Sequence, residues 1–448
     1  MDSERKVISY PNGEIQRVQL VRLDHWQQLD FFRPADSDAA LSCFHHIYKA
    51  FLVPACPWIF GNMVMFRIPE DMETAFPFDT KKYGTCSDCL TAAAAALRTG
   101  VRIEAGKPVF RNDSVKTFWQ ELEKRNCLQI VSGKLPVTTI IPVRNCCGYL
   151  SETEPEALMK VNASFFIMDP FDCATVYDQV GTPLGLCVKN GIVQNPPLFN
   201  REALLVRESG VFIEPVDAKN LEIEIRGKHY IHGRNATLYS RPERATTPRR
   251  KGCKVVIVGC RVVAVSRKNV VSIPASGFVL CCDDPSDVMA GDAVVYRGME
   301  DVLFGIQVGN SILRNGVKTE KFLSKFYNIR HLEPIPFPPS LYPMDYAKAR
   351  AARIALGADN TGKPMLLWAE GAGKLSYTPG VDSRGASLLE MAEICSEMGM
   401  VHAVNLDGGG SAQILLKNHR SLLISDRNPK DNSEAERPIP LGLIVRGE

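Results

Sequence analysis

The stretch that most limits what this chain can fold into is Val404-Asn405-Leu406-Asp407-Gly408-Gly409-Gly410-Ser411. Upstream of it, Ser387 is followed three residues later by Glu390, the form of a capping box, which predicts a helix start. Leu388, Met391, Ala392, Cys395 and Met398 then recur at helical spacing, and Gly399 is placed to end that helix. Residues 401–406 are too few and too apolar for another helix and read as a buried strand, with a second strand expected over 412–416. An aspartate is therefore held where a strand stops, beside a backbone with no side chains in the way. Glycines can take positive φ and let a ligand approach the main chain closely. Successive amides in such a turn can also form an anion-binding nest. The bland alternative is a tight hairpin with a solvated acid. Two residues suffice for a hairpin, so a run of three glycines favours the functional reading.

A chain of 448 residues is long enough for a large core and for two or three domains. Its net charge of +3, with 45% hydrophobic and 23% charged residues, is that of a globular protein and carries no basic excess pointing to nucleic acid. The opening Met1-Asp2-Ser3-Glu4-Arg5-Lys6 lacks the apolar core of a signal peptide. The uncharged run 50–66 is broken by Pro54, Pro57 and Gly61 and is too short to span a bilayer. The expectation is a cytoplasmic protein without a membrane or nucleic-acid partner. Of the fourteen cysteines, most sit in apolar runs, where a thiol behaves as a small hydrophobe. Cys86 and Cys89 form a CxxC pair, but a zinc site would need two more ligands, with Cys56, His45 and His46 the nearby candidates. They read as unligated, and no metal or cofactor is expected.

Residues 1–125 carry no legible motif and read as an N-terminal extension or separate domain. Within them, a strand is expected over 18–23 and helices over 86–97 and 115–124, the last with Phe118, Trp119 and Leu122 on its apolar side. From residue 126 onward the pattern changes to short strands and turns. Asn162 lies inside the apolar run 158–166, where its amide must hydrogen-bond something, a substrate hydroxyl being one partner. Asp169, Asp172 and Asp178 follow in a loop. Asn190-Gly191 is a strong hairpin signal, with residues 201–206, including Glu202, read as the returning strand. Arg353 opens an otherwise apolar strand. Such an arginine needs a partner, either an internal acid or a bound phosphate or carboxylate.

Taken together, Gly385-Ala386-Ser387-Leu388-Leu389-Glu390-Met391-Ala392, the Asp407-Gly408-Gly409-Gly410-Ser411 turn, Asn162-Ala163-Ser164-Phe165-Phe166 and the closing Arg437-Pro438 resemble the signature of the phosphodiester glycosidase family. The ordered resemblance covers roughly residues 126–448, which read as the catalytic domain. It departs from the family at Ala163, where glycine is usual. The resemblance implies hydrolysis of a sugar 1-phosphodiester at the anomeric C–O bond, and it places Arg353 at the substrate. On chemical grounds Asp407 is the carboxylate beside a carbon that becomes cationic. Arg353, with Arg384 or Arg437, would neutralise the leaving phosphate. Gly408, Gly409, Gly410, Ser411 and Ser383 are expected to line the substrate, and the helix start at Ser387 offers a second place for an anion. A second carboxylate is sought among Asp169, Asp172, Asp178 and Glu202. Hydrolysis of nucleotide sugars or other glycosyl phosphates, and a non-catalytic sugar-phosphate binding or sensing module, remain open as alternatives. The expected fold is mixed α/β of the α+β kind, rich in antiparallel strands with few packed helices.

Overall fold

The computed structural model describes residues 1–34, 63–66, 107–124, 147–168, 181–198, 201–241, 243–283, 287–319, 347–372, 377–428 and 431–447, with short pieces at 92–93, 96–97, 100–104, 128–131, 139–142, 175 and 177–178. Its central element is the strand Arg353–Ala358, buried at every position. This strand lies in the middle of a seven-stranded sheet, between Pro364–Ala369 and His402–Asn405. Ile15–Arg22 and Asp2–Ser9 extend the sheet on one side, Ser311–Arg314 and Val317–Lys318 on the other.

Alternation along these strands separates two cores. Ile354, Leu356, Leu366, Trp368 and Val404 face the larger one. Ala355, Met365, Leu367 and Ala403 face the helix Leu388–Glu397, which packs down through Leu388, Met391, Ala392 and Cys395. The helix starts as the sequence predicts. The Glu390 amide donates to Ser387 Oγ at 3.3 Å, and the Ser387 amide donates to Glu390 Oε2 at 2.9 Å. It ends at Gly399, whose φ of 89° is the left-handed conformation that glycine adopts without strain.

A second, five-stranded sheet runs in the order Asp30–Phe32, Gly442–Val445, Met159–Asn162, Ile414–Leu416, His419–Arg420. The first thirty-two residues are thus hydrogen-bonded into both sheets alongside strands from the other end of the chain. Residues 407–411 carry the chain from the first sheet to the second, so the flanking strands do not pair with each other. This excludes the tight-hairpin reading of the triple glycine.

The fold is mixed and largely antiparallel, with two helices described. The parallel ladder among the described strands joins Met63–Phe66 to Thr139–Pro142. The helix expected over 115–124 forms as Asp113–Lys124, with Phe118, Trp119 and Leu122 buried. The strand expected over 18–23 forms as Ile15–Arg22. Cys86, Cys89, His45 and His46 lie outside the described residues, as does most of the helix expected over 86–97. Among the described residues, no helix is long and apolar enough to cross a membrane.

One strand pairing differs from the sequence expectation. The Asn190-Gly191 turn returns into Ile192–Asn195, which pairs with Cys187–Lys189. Arg201–Arg207 pairs instead with Gly210–Val216 and Phe304–Ile306, and the latter strand separates it from Cys187–Lys189. A two-residue turn folds back the next strand in the chain, and the sequence expectation overlooked the short one at 192–195.

Candidate active site

Strand register brings Arg353 and Asp407 to the same end of the sheet. Ala355 stands opposite Asn405, and the Leu406 amide donates to the Ile354 carbonyl at 2.8 Å. Antiparallel pairing therefore continues to the end of the sheet and brings Arg353 alongside the start of the glycine turn. A Cβ at Gly408 would lie 3.6 Å from Arg353 Cδ and 2.8 Å from the Ala352 carbonyl oxygen. Arg353 is buried, and its guanidinium is oriented by two carbonyls: Nε donates to Ala386 at 3.0 Å and Nη2 to Ala349 at 2.9 Å.

Each glycine of the turn answers a different demand. Gly408 leaves room for the Ala352 carbonyl. Gly409 has φ of 58° and open space beside it, so its demand is conformational. Gly410 lies against the Asp426 carboxylate, where a Cβ would fall 2.0 Å from Oδ2. The turn is clamped from the second sheet by Asn162. Its Nδ2 donates to the Asp407 carbonyl at 2.7 Å, and its Oδ1 accepts from the Gln413 amide at 3.0 Å. The buried asparagine thus finds main-chain partners on both sides of the glycines and positions the turn.

Arg437 closes the far side. Its Nε and Nη2 lie 2.8 Å and 2.7 Å from Asp426 Oδ2, and Nη1 donates to Ser411 Oγ at 3.4 Å. Asp426 was not among the carboxylates selected from the sequence. The available signal was a lone acid at the end of an apolar segment, eleven residues before an arginine that itself needed a partner.

Asp407 is buried, and its Oδ2 has no hydrogen-bond partner. Burial pushes its pKa up to about 6, against the ordinary 3.8, and the nearby Asp426 carboxylate adds to the rise. The Ser411 hydroxyl, the Arg437 charge and the Gly408 amide hold it down. A carboxylate titrating there is ionised near neutrality yet still able to take up a proton.

The other residues selected from sequence fall elsewhere. Ser383 Oγ donates to Glu370 Oε2 at 2.7 Å and accepts from the Arg17 amide at 2.9 Å, tying the N-terminal hairpin to the sheet. Arg384 bonds Glu14 and Glu390 and stacks 3.3 Å from the Tyr10 ring centroid, two residues from the Ala386 carbonyl that receives Arg353. At the helix start, capping by Ser387 and Glu390 and a bond from the Leu388 amide to Ala347 already use amides that an anion would need. Glu202 bonds Ser311 and Arg314, and Asp178 bonds Thr175 and Ser276. Both carboxylates are thus engaged by side chains outside the glycine turn. Asp169 and Asp172 lie outside the described residues. Among the described residues, no group of three or more His, Cys, Asp or Glu side chains is placed to hold a metal.

A family model described as phosphodiester glycosidase matches residues 219–446. N-acetylglucosamine-1-phosphodiester alpha-N-acetylglucosaminidase of Mus musculus is 38% identical over 71 residues, 16% of this chain and 12% of that protein. The Homo sapiens protein of the same description is 41% identical over 66 residues, 15% of this chain and 11% of that protein. The chain thus matches about an eighth of the length of these curated relatives. Among solved structures, the catalytic domain of the zebrafish protein of that description, auto-inhibited by its pro-peptide, aligns with a TM-score of 0.40 at 11% identity, covering 100% of this chain and 83% of that one. A hypothetical protein from Synechocystis aligns with a TM-score of 0.41 at 15% identity, covering 99% of this chain and 62% of that one.

Proposed function

This chain belongs to the phosphodiester glycosidase family, and on that premise we propose that it hydrolyses the glycosidic C–O bond of a sugar 1-phosphodiester of the N-acetylglucosamine type. The observation that carries this reading is the Asp407 carboxylate: buried, with one oxygen unpartnered, its pKa raised to about 6, and opening a glycine turn whose Gly408 lies against the Arg353 side chain. Departure of the phosphate leaves positive charge at the anomeric carbon, which an ionised Asp407 stabilises. The leaving group takes the bonding electrons as a phosphomonoester, and Arg353 offsets its negative charge. Water supplies the new C–O bond. A carboxylate titrating near 6 is matched to accept the proton that this water releases. Phosphate is already a good leaving group, so the reaction makes little demand for a dedicated general acid.

Turnover of a panel of α-N-acetylglucosamine 1-phosphodiesters, including UDP-N-acetylglucosamine, by wild type and Asp407→Asn tests the reading. Free sugar released by wild type and lost in the variant supports it. Binding by both proteins without release would overturn it in favour of a sugar-phosphate binding module.

A further inference from the structure

Asn405 precedes Asp407 by two residues and stands opposite Ala355, two residues from Arg353 on the neighbouring strand. Residues two apart on a strand share a face, as do residues directly opposite one another. Asn405 therefore lies on the face of the sheet that carries Arg353. Its side chain is fully buried, at 0% exposure, yet neither Oδ1 nor Nδ2 has a hydrogen-bond partner. Its main chain, by contrast, is engaged with the segment leading into the strand Ser311–Arg314: Gly309 donates to its carbonyl at 2.8 Å, and its amide donates to the Asn310 carbonyl at 2.9 Å. A Cβ at Gly309 would sit 2.7 Å from Asn405 Nδ2, so the glycine leaves the amide its space.

Other polar atoms around the turn share this condition. Asp407 Oδ2, Ser164 Oγ and Ser425 Oγ are buried without partners. Ser164 follows Ala163, whose carbonyl accepts from the Asp407 amide at 3.1 Å, and Ser425 precedes the Asp426 that packs against Gly410. Buried polar groups in folded proteins nearly always find partners. Asn405 is the one among them with both side-chain polar atoms unpartnered, and it lies on a segment that runs into the glycine turn, where a polar ligand can supply the missing bonds.

We infer that Asn405 is a sugar-recognition residue: its amide exchanges a donor and an acceptor with a substituent of the substrate's sugar ring, beside the carbon that Asp407 serves. An amide offers one face of each kind, so the complementary substituent is an acetamido group or a pair of neighbouring hydroxyls. The inference rests on the hydrolase reading and adds to it the residue that selects the sugar.

The test compares kcat/KM for an N-acetylglucosamine and a glucose 1-phosphodiester with the same aglycone, in wild type, Asn405→Leu and Asn405→Ala. The ratio of the two values is independent of how much of a variant is folded, so partial unfolding does not obscure it. Loss of the variants' preference for the acetylated sugar by about tenfold or more, the scale of one hydrogen bond to a buried group, identifies the acetamido as the partner. An equal fall for both sugars, driven by KM with the thermal midpoint unchanged or raised, identifies shared hydroxyls. An active wild type with both variants unchanged overturns this inference alone. Inactivity of wild type on both sugars overturns it together with the hydrolase reading.

Discussion

Asn162 donates its side-chain Nδ2 to the main-chain carbonyl of Asp407 at 2.7 Å, from a strand 245 positions earlier in the chain. Through the same amide it accepts from Gln413, so one side chain holds both ends of the glycine turn. Asn162→Ala leaves a buried carbonyl and a buried amide without partners. The expected cost is roughly 2–4 kcal/mol in denaturant unfolding, with kcat falling as the turn loosens. An unchanged unfolding midpoint with only KM raised would assign Asn162 to the substrate instead of the turn.

Arg437 and Asp426 form a buried ion pair, with side chains 7% and 2% exposed. Removing one partner strands the other charge, so Arg437→Met or Asp426→Leu is expected to cost about 3–5 kcal/mol. The double variant should recover much of that loss, because two apolar side chains replace the pair. Chemical denaturation of all four proteins measures the coupling. Simple addition of the two single effects would show that the pair does not act as a unit.

The glycines of the turn should differ in their tolerance of alanine. Gly409→Ala meets no atom within 4 Å and carries only the conformational cost of its positive φ, about 1 kcal/mol. Gly410→Ala drives a methyl into the Asp426 carboxylate and should disrupt both the Arg437 pair and activity. Thermal midpoints and turnover of the two variants give the order directly, and equal effects would contradict it.

The raised pKa of Asp407 predicts two pH dependences. If the ionised form is the active one, kcat/KM falls on the acid side with an apparent pKa near 6. For stability, the folded state holds this proton more tightly than the unfolded chain does. Its contribution is present below the ordinary 3.8 and lost as pH rises through about 6. Asp407→Asn should therefore gain stability over wild type as pH rises across that window, with a constant advantage above it. Urea titrations at several pH values check the sign. A constant difference at all pH values would refute the shift.

The helix Leu388–Glu397 was legible in the sequence because its signals are local. A cap three residues from its partner, apolar spacing and a terminal glycine are all set within one segment. Asp407 was legible for a similar reason: an acid at a strand end followed by three glycines is an unusual local choice. The pairing of Arg201–Arg207 was not legible, because the choice among several short apolar strands depends on which one lies between the others.

By itself, then, the sequence determined the capped helix, the strand ending in Asp407, the largely antiparallel character and the family signature. Only the tertiary structure decided that the glycine turn bridges two sheets, that Asn162 holds it, and that Asp426 is the acid beside Arg437. It also decided that Arg384 stacks on Tyr10 and bonds Glu14, and that Asn405 is buried with its amide unsatisfied. The physical reason is range. Helix caps and glycine conformations depend on neighbours a few residues away. The partner of a buried charge or amide is chosen by sheet register among segments hundreds of positions apart, and by how completely those segments exclude water.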